Sequence, residues 1–285
     1  MIPRSFELHS PATVAEALEI LEEKPEAKVL AGGQSLIPMM KLRLFSPPDV
    51  VDIGRIPGLS YIRKGKGRLH IGAMTIHNDV ALSPLVRRFC GPLAEATSVV
   101  ADQQVRNRGT IGGTACHADP AGDTPAALLA LDAEFVATGK GGERVVGAKD
   151  FFKDMFTTDL KREELLTEVR VPFLPPGSGG TYVKFVKAKS DFAIVGVASS
   201  IALKSGACAD VRIGLAGVGP TPIRPTRAEQ VLEGKKPRDD LIEEAGARAS
   251  AASSPFSDLR GDAAYKREMV KVIVERAVRL SLERA

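Results

Sequence analysis

The sequence predicts an α+β chain of two domains, and three observations carry that reading. Residues 28–53 run strand, glycine turn, helix, strand, which favours parallel pairing in an N-terminal α/β unit. The stretch Pro172 to Gly180 (Pro-Phe-Leu-Pro-Pro-Gly-Ser-Gly-Gly) is rich in residues that break both regular structures, so the boundary falls near residue 175. Beyond it three β-rich runs precede a helical tail. At 285 residues the chain has about the length of two ordinary domains.

The elements follow in order. Thr13 with Glu16 three positions on is a capping box, and Val14, Ala17, Leu18 and Leu21 then line one face of a helix that Pro25 ends. Lys28–Ala31 is a short apolar strand running into Gly32-Gly33. Ser35 is positioned to cap a helix from Leu36 to Leu42, with Pro38 tolerated in its first turn. Val50–Ile53 is the next strand. From residue 57 the chain is mixed: strands at Arg68–Ala73, Ala133–Thr138, Arg144–Val146 and Leu166–Val171, helices at Pro92–Ala101 and Pro125–Leu131. Thr181–Ala188, Ala193–Leu203 and Ala207–Val218 form an antiparallel meander. Helices follow at Arg227–Leu232, Asp239–Ala252 and Tyr265–Leu282.

Composition excludes several function classes. A hydrophobic share of 44% with 26% charged residues is that of an ordinary globular protein. The net charge of +4 is too mild to predict binding to nucleic acid or an acidic membrane. Three dispersed cysteines (Cys90, Cys116, Cys208) without a CxxC pair argue against a disulfide scaffold, a zinc module or an iron–sulfur cluster held by this chain alone. No apolar run approaches the roughly 18 residues of a membrane span, and Met1 to Glu7 lacks the layout of a signal peptide, so the expected compartment is the cytoplasm. Any redox chemistry then needs a bound organic cofactor or a partner.

Two glycine pairs are the candidate chemistry. In the first, Val29 to Leu36, adjacent glycines let backbone N–H groups approach an anion at the start of a helix, as pyrophosphates are commonly held; a tight turn alone is the other reading. The second lies in Arg106 to Ala115, with the hydroxyls of Thr110 and Thr114 beside it. Asp123, on a Pro/Gly loop, either accepts hydrogen bonds from a ribose diol or caps the helix opening at Pro125. Neither pair is G-x-G-x-x-G, and no Walker loop, G-x-S-x-G elbow or H-E-x-x-H occurs. Gly214 to Gly219 reads as a strand end. Cys116, His117 and Asp119 are too close in sequence to converge on one ion, and Cys116 reads as a packed residue.

Ala31-Gly32-Gly33-Gln34-Ser35-Leu36-Ile37-Pro38-Met39-Met40-Lys41-Leu42-Arg43 and Gln104-Val105-Arg106-Asn107-Arg108-Gly109-Thr110-Ile111-Gly112-Gly113 resemble the paired flavin motifs of the xanthine dehydrogenase family. With Ile71 to Thr75, His117 to Asp123 and Asp258 to Lys266, the resemblance extends over essentially the full length to the medium, FAD-binding subunits of aerobic carbon monoxide dehydrogenases and related molybdenum hydroxylases.

The resemblance implies a PCMH-type FAD-binding domain over 1–175, with subdomains of about 1–56 and 57–175, and a C-terminal domain of a three-stranded antiparallel sheet and helices over 176–285. It implies FAD held by Ala31, Gly32, Gly33, Gln34, Ser35 and Leu36 and by Thr110, Ile111, Gly112, Gly113 and Thr114. Asp123 would meet the sugar hydroxyls, Leu166 the adenine, Lys184 the polar edge of the flavin, and Phe192 a face of its ring. It further implies an electron-transfer subunit of an oxidoreductase. Its partners would be a large subunit with the molybdenum cofactor and a small [2Fe–2S] subunit, in a dimer of heterotrimers. The external acceptor would be quinone, NAD or oxygen. The chain departs from the pattern at Gln34, where the carbon monoxide enzymes have histidine, and at Thr114, where Asn, Asp or Ser is frequent. The competing reading is a self-contained flavoenzyme on the same fold.

Overall fold

The computed structural model describes residues 2–285. The first unit is β1 (Glu7–His9), α1 (Val14–Glu23), β2 (Lys28–Leu30), α2 (Leu36–Lys41) and β3 (Asp49–Asp52). Its sheet has the order β1-β3-β2 and is parallel throughout. Thr13 caps α1 by accepting the Glu16 N–H, and the Glu16 carboxylate accepts the Ala12 N–H. Ala17, Leu18 and Leu21 turn inward onto Val51 and Ile53 to make a small core. Strand β1 was not expected: three residues with Leu8 exposed carry no alternating pattern. Ser35 stands before α2, but its hydroxyl makes no capping bond, correcting the expected cap.

The second unit holds β4 (Ile62–Lys64), β5 (Arg68–Gly72), α3 (His77–Leu82), α4 (Pro84–Phe89), α5 (Gly91–Ser98), α6 (Gln103–Arg106), α7 (Ile111–His117), α8 (Asp123–Ala130), β6 (Glu134–Gly139), β7 (Gly142–Gly147), α9 (Ala148–Phe151), β8 (Phe152–Asp154), β9 (Thr157–Thr158) and β10 (Leu165–Pro172). Strands β4-β5-β10-β6-β7 form an antiparallel sheet. Two adjacent strand residues, Leu165 and Leu166, point into different cores, the first into that of the N-terminal unit and the second into that of this sheet.

The third unit comprises β11 (Ser178–Phe185), β12 (Val195–Lys204), β13 (Ala207–Ala216), α10 (Thr226–Leu232), α11 (Asp239–Ala252) and α12 (Ala263–Glu283). The three strands form the expected antiparallel meander, and β12 is buried from Val195 to Ala202 because helices cover both faces. On one side lie α10 to α12; on the other, α5 and α8 of the second unit. Gly179 and Gly180, expected to lie in a breaking linker, belong to β11. A Cβ on Gly179 would overlap the Ser281 carbonyl oxygen, and one on Gly180 would lie 2.7 Å from Pro92 Cγ, so these glycines admit neighbouring elements. Gly214 does the same for α8, since an added Cβ would overlap the Ala126 carbonyl oxygen. Gly214→Ala is therefore expected to lower stability by about 1–3 kcal/mol, read by denaturant unfolding.

Candidate functional site

The two glycine motifs, separated by some seventy residues, meet at the junction of the first and second units. Gly32 lies against the backbone of Arg108 and Gly109: its missing Cβ would overlap the Arg108 carbonyl oxygen and sit 2.7 Å from Gly109 Cα. Gly33 has φ +73°, in the region that favours glycine, and turns the chain from β2 into α2. Among the described residues, the backbone N–H groups of Gly32, Gly33, Gln34, Ser35 and Leu36 have no acceptor within the protein; the first helical bond is Ile37 N–H to Gly33 C=O at 3.1 Å. Five successive donors with no acceptor, on a turn through φ +73° at Gly33, are suited to an anion.

The second motif differs in local structure from the first. Residues 111–117 are helical, and Thr110 caps the helix by accepting the Gly113 N–H at 3.0 Å. Gly112 is pressed onto the end of β5, where its N–H donates to the Ala73 carbonyl at 2.9 Å and a Cβ would lie 2.6 Å from Ala73 Cβ. The N–H groups of Ile111 and Thr114 go to the carbonyls of Thr75 and Thr110. All four N–H groups from Ile111 to Thr114 are thus used internally. The Cβ position of Gly113 lies 3.6 Å from Ala31 Cβ, so this motif forms the wall opposite the first loop.

Asp123, Tyr182 and Lys184 form a buried cluster. Alternation along β11 puts Tyr182 and Lys184 on one face, toward the start of α8. The Tyr182 hydroxyl donates to Asp123 Oδ1 and Lys184 Nζ to Oδ2, both at 2.8 Å, and Nζ also donates to the Val99 carbonyl at 2.9 Å. Lys184 and Asp123 side chains are each 6% exposed. Burial outweighs the Lys184 charge and raises the Asp123 carboxyl to about 6. A Cβ on Gly196 would overlap the Tyr182 hydroxyl, so that glycine admits the bond. Asp123 does not cap α8: Gly122 occupies the cap position and Asp123 is the first helical residue, its carboxylate taken by Tyr182 and Lys184.

The remaining candidates are dispersed. Leu166 is 3% exposed in β10 opposite Ala137. Phe192 is half exposed on the β11–β12 turn under the guanidinium of Arg260, which also pairs with Asp191 at 2.8 Å. Cys90 and Cys208 are buried, and burial pushes the thiols of Cys90 and Cys116 up to about 12, so neither is a ready nucleophile. Cys116, His117 and Asp119 are not gathered into a ligand set. The grouping of metal-ligand types among the described residues is Glu7, His9 and Asp49, where Lys24 Nζ stands 3.7 Å from Asp49.

Three participants were not singled out from the sequence: His77, Tyr182 and Glu95. His77 is 1% exposed, with Nε2 2.7 Å from Thr114 Oγ1. Glu95 on α5 accepts hydrogen bonds from Thr181 and Tyr182, and pairs with Arg284 at 2.7 Å. The i, i+2 pairing of Tyr182 with Lys184 was the one available signal; His77 and Glu95 carry no local pattern.

A family model described as the FAD binding domain in molybdopterin dehydrogenase matches residues 4–174, and one described as the CO dehydrogenase flavoprotein C-terminal domain matches residues 180–280. The chain belongs to the FAD-binding medium-chain family of molybdopterin dehydrogenases. It is 42% identical to the carbon monoxide dehydrogenase medium chain of Hydrogenophaga pseudoflava, over 98% of this chain and 97% of that one. It is 40% identical to the glyceraldehyde dehydrogenase medium chain of Sulfolobus acidocaldarius, over 97% and 98%. The fold superposes on a solved carbon monoxide dehydrogenase chain from H. pseudoflava with a TM-score of 0.98, at 43% identity and full coverage of both. On a chain of quinoline 2-oxidoreductase from Pseudomonas putida 86 the TM-score is 0.94, at 31% identity and 99% coverage of both. The residues fit an FAD: the donors of Gly32 to Leu36 supply what a diphosphate accepts, and glycine keeps their approach open.

Proposed function

We propose that this chain is the electron-transfer subunit of a molybdenum hydroxylase complex, standing between a [2Fe–2S] subunit and an external acceptor. The observation that carries the reading is the run of acceptor-free N–H groups from Gly32 to Leu36, in a turn that packs on Arg108 and Gly109 beside the Thr110–Thr114 motif. Bound FAD supplies a redox centre able to exchange electrons singly or in pairs. The chain's own residues bind and orient: Ala31 to Leu36 hold the diphosphate by backbone N–H groups, with Thr110, Ile111, Gly112, Gly113 and Thr114 opposite. Asp123, its carboxylate held by Tyr182 and Lys184, meets the sugar hydroxyls, Lys184 the polar edge of the flavin, Leu166 supports the adenine end, and Phe192 lies over the flavin ring.

The inventory of the chain supports a subunit rather than a complete enzyme. Its buried carboxylates are already paired, Asp123 with Lys184, Glu164 with Arg144 and Glu229 with Arg224, and its buried thiols are not activated. Partners in this reading are a large molybdopterin-binding subunit and a small iron–sulfur subunit, as two heterotrimers in the cytoplasm. No helix among the described residues is long and apolar enough to cross a membrane. The test is purification from the native source. The expected result is a flavin spectrum with molybdenum and iron on two co-purifying chains. Turnover of a substrate by the isolated chain at the rate of the native material would overturn the reading.

A further inference from the structure

The second glycine motif has used its backbone N–H groups from Ile111 to Thr114, yet it forms one wall of the diphosphate cradle. The donors it has left are two hydroxyls, that of Thr110, which accepts the Gly113 N–H, and that of Thr114. Helical threonines can turn their hydroxyl back onto the carbonyl one turn earlier. Thr97 does so, donating to the Leu93 carbonyl at 2.7 Å. Thr114 does not; its oxygen faces His77 Nε2 at 2.7 Å instead.

The state of His77 decides which way that hydroxyl donates. The ring is 1% exposed, and Nδ1 has no partner among the described residues. Burial, with the charge of Arg106 adding to it, lowers the imidazole to about 4, so at neutral pH the ring carries one N–H. A proton on Nδ1 would leave a donor orphaned in the core and would draw the Thr114 proton onto Nε2. A proton on Nε2 leaves only an acceptor unpaired, the less rare of the two defects in folded proteins. It is also the tautomer that free histidine favours. In that state Nε2–H donates to Thr114 Oγ1, and the threonine proton is free to point elsewhere.

We propose that His77 is a positioning residue that occupies the acceptor side of the Thr114 hydroxyl and thereby turns its proton toward the diphosphate of FAD. The inference rests on the FAD reading above and deepens it. Thr114 is half-buried, and its partner His77 lies against Gly109, the residue on which Gly32 packs, so the hydroxyl stands near the junction of the two motifs. Hydrogen bonds to a charged acceptor are stronger than neutral ones, which makes a correctly turned hydroxyl worth more here than elsewhere.

The test has two readouts, neither of them turnover. Long-range proton–nitrogen spectra of histidine-labelled full chain, with FAD bound, contain only four histidines, and His77 is assigned by its loss in His77→Gln. A proton on Nε2 is expected; a proton on Nδ1 overturns the proposal without needing any variant to fold. FAD titration of the flavin-stripped chain supplies the second readout. Thr114→Val and His77→Phe should each weaken binding by roughly tenfold, and the double variant should bind no worse than Thr114→Val alone. His77→Gln, which keeps an N–H at similar reach, should restore most of the loss. Unchanged affinity in folded His77→Phe, or losses that multiply in the double variant, overturn the role of His77 while leaving the FAD site intact. Failure of the unsubstituted chain to take up FAD overturns the FAD reading itself, and the proposal with it.

Discussion

Gly32→Ala is expected to empty the protein of flavin while leaving most of the fold in place. The added Cβ would overlap the Arg108 carbonyl oxygen and lie 2.7 Å from Gly109 Cα and 2.8 Å from the Arg108 carbonyl carbon. All three are backbone atoms, so no rotamer change relieves the overlap; the two loops must separate. Overpacking of this kind costs about 1–3 kcal/mol of stability. Its effect on binding is larger, because the donors of Gly32 to Leu36 would move away from the opposite wall, and a displacement of about 1 Å can cost roughly a hundredfold. Gly33→Ala is the instructive contrast. There the new Cβ meets Ile37 Cδ1 at 2.7 Å and Leu30 Cδ1 at 3.1 Å, both ends of flexible side chains, and the penalty is mainly that of φ +73°. Flavin occupancy of the purified variants, read from visible absorption, checks the order; full occupancy in Gly32→Ala would show that the loops need not touch.

Lys184→Met is expected to make stability strongly pH-dependent. In the native cluster burial raises the Asp123 carboxyl from its ordinary value near 4 to about 6, with Lys184 holding the rise in check. Between those values the folded protein keeps a proton that the unfolded chain has released. The group's contribution is therefore complete at low pH and declines as pH rises through the window. Without Lys184 the carboxyl rises further, and the decline continues past neutrality. At pH 5 Asp123 is largely protonated in both proteins, and their stabilities should differ least there. At pH 8 the variant should be about 3 kcal/mol less stable, the usual effect of stranding one member of a buried pair. Denaturant unfolding of flavin-free protein across this range measures it. A difference that does not change with pH would contradict the coupling, and Asp123→Asn should remove the dependence in either background.

Both variants touch residues that the sequence made visible, but only in part. Gly32-Gly33 was legible because a strand, a glycine turn and a helix are contiguous. Asp123 was legible as a carboxylate on a constrained loop and Lys184 through the resemblance, while their pairing and Tyr182 were not. Tyr182 and Lys184 lie some sixty residues away on β11 and reach it only because α8 packs across that sheet, an approach that Gly214 and Gly196 permit. His77 is a single buried histidine in a short helix that no periodicity announces. Short elements were missed for the same reason: β1, β4 and α3 are three to six residues long and owe their existence to neighbours rather than to pattern.

The amino-acid sequence alone was enough for the two-part α+β architecture, the parallel N-terminal unit, the C-terminal meander and the two glycine motifs. Each is written in contiguous residues, through caps, periodicity or backbone freedom. Tertiary structure alone decided which motif keeps donors for a ligand and which uses them internally, and which side chains hold Asp123. Those outcomes depend on hydrogen-bond partners supplied from other elements. The Gly112 N–H goes to Ala73 at the end of β5, whereas the Gly32 N–H finds no acceptor although the residue packs against the backbone of Arg108 and Gly109.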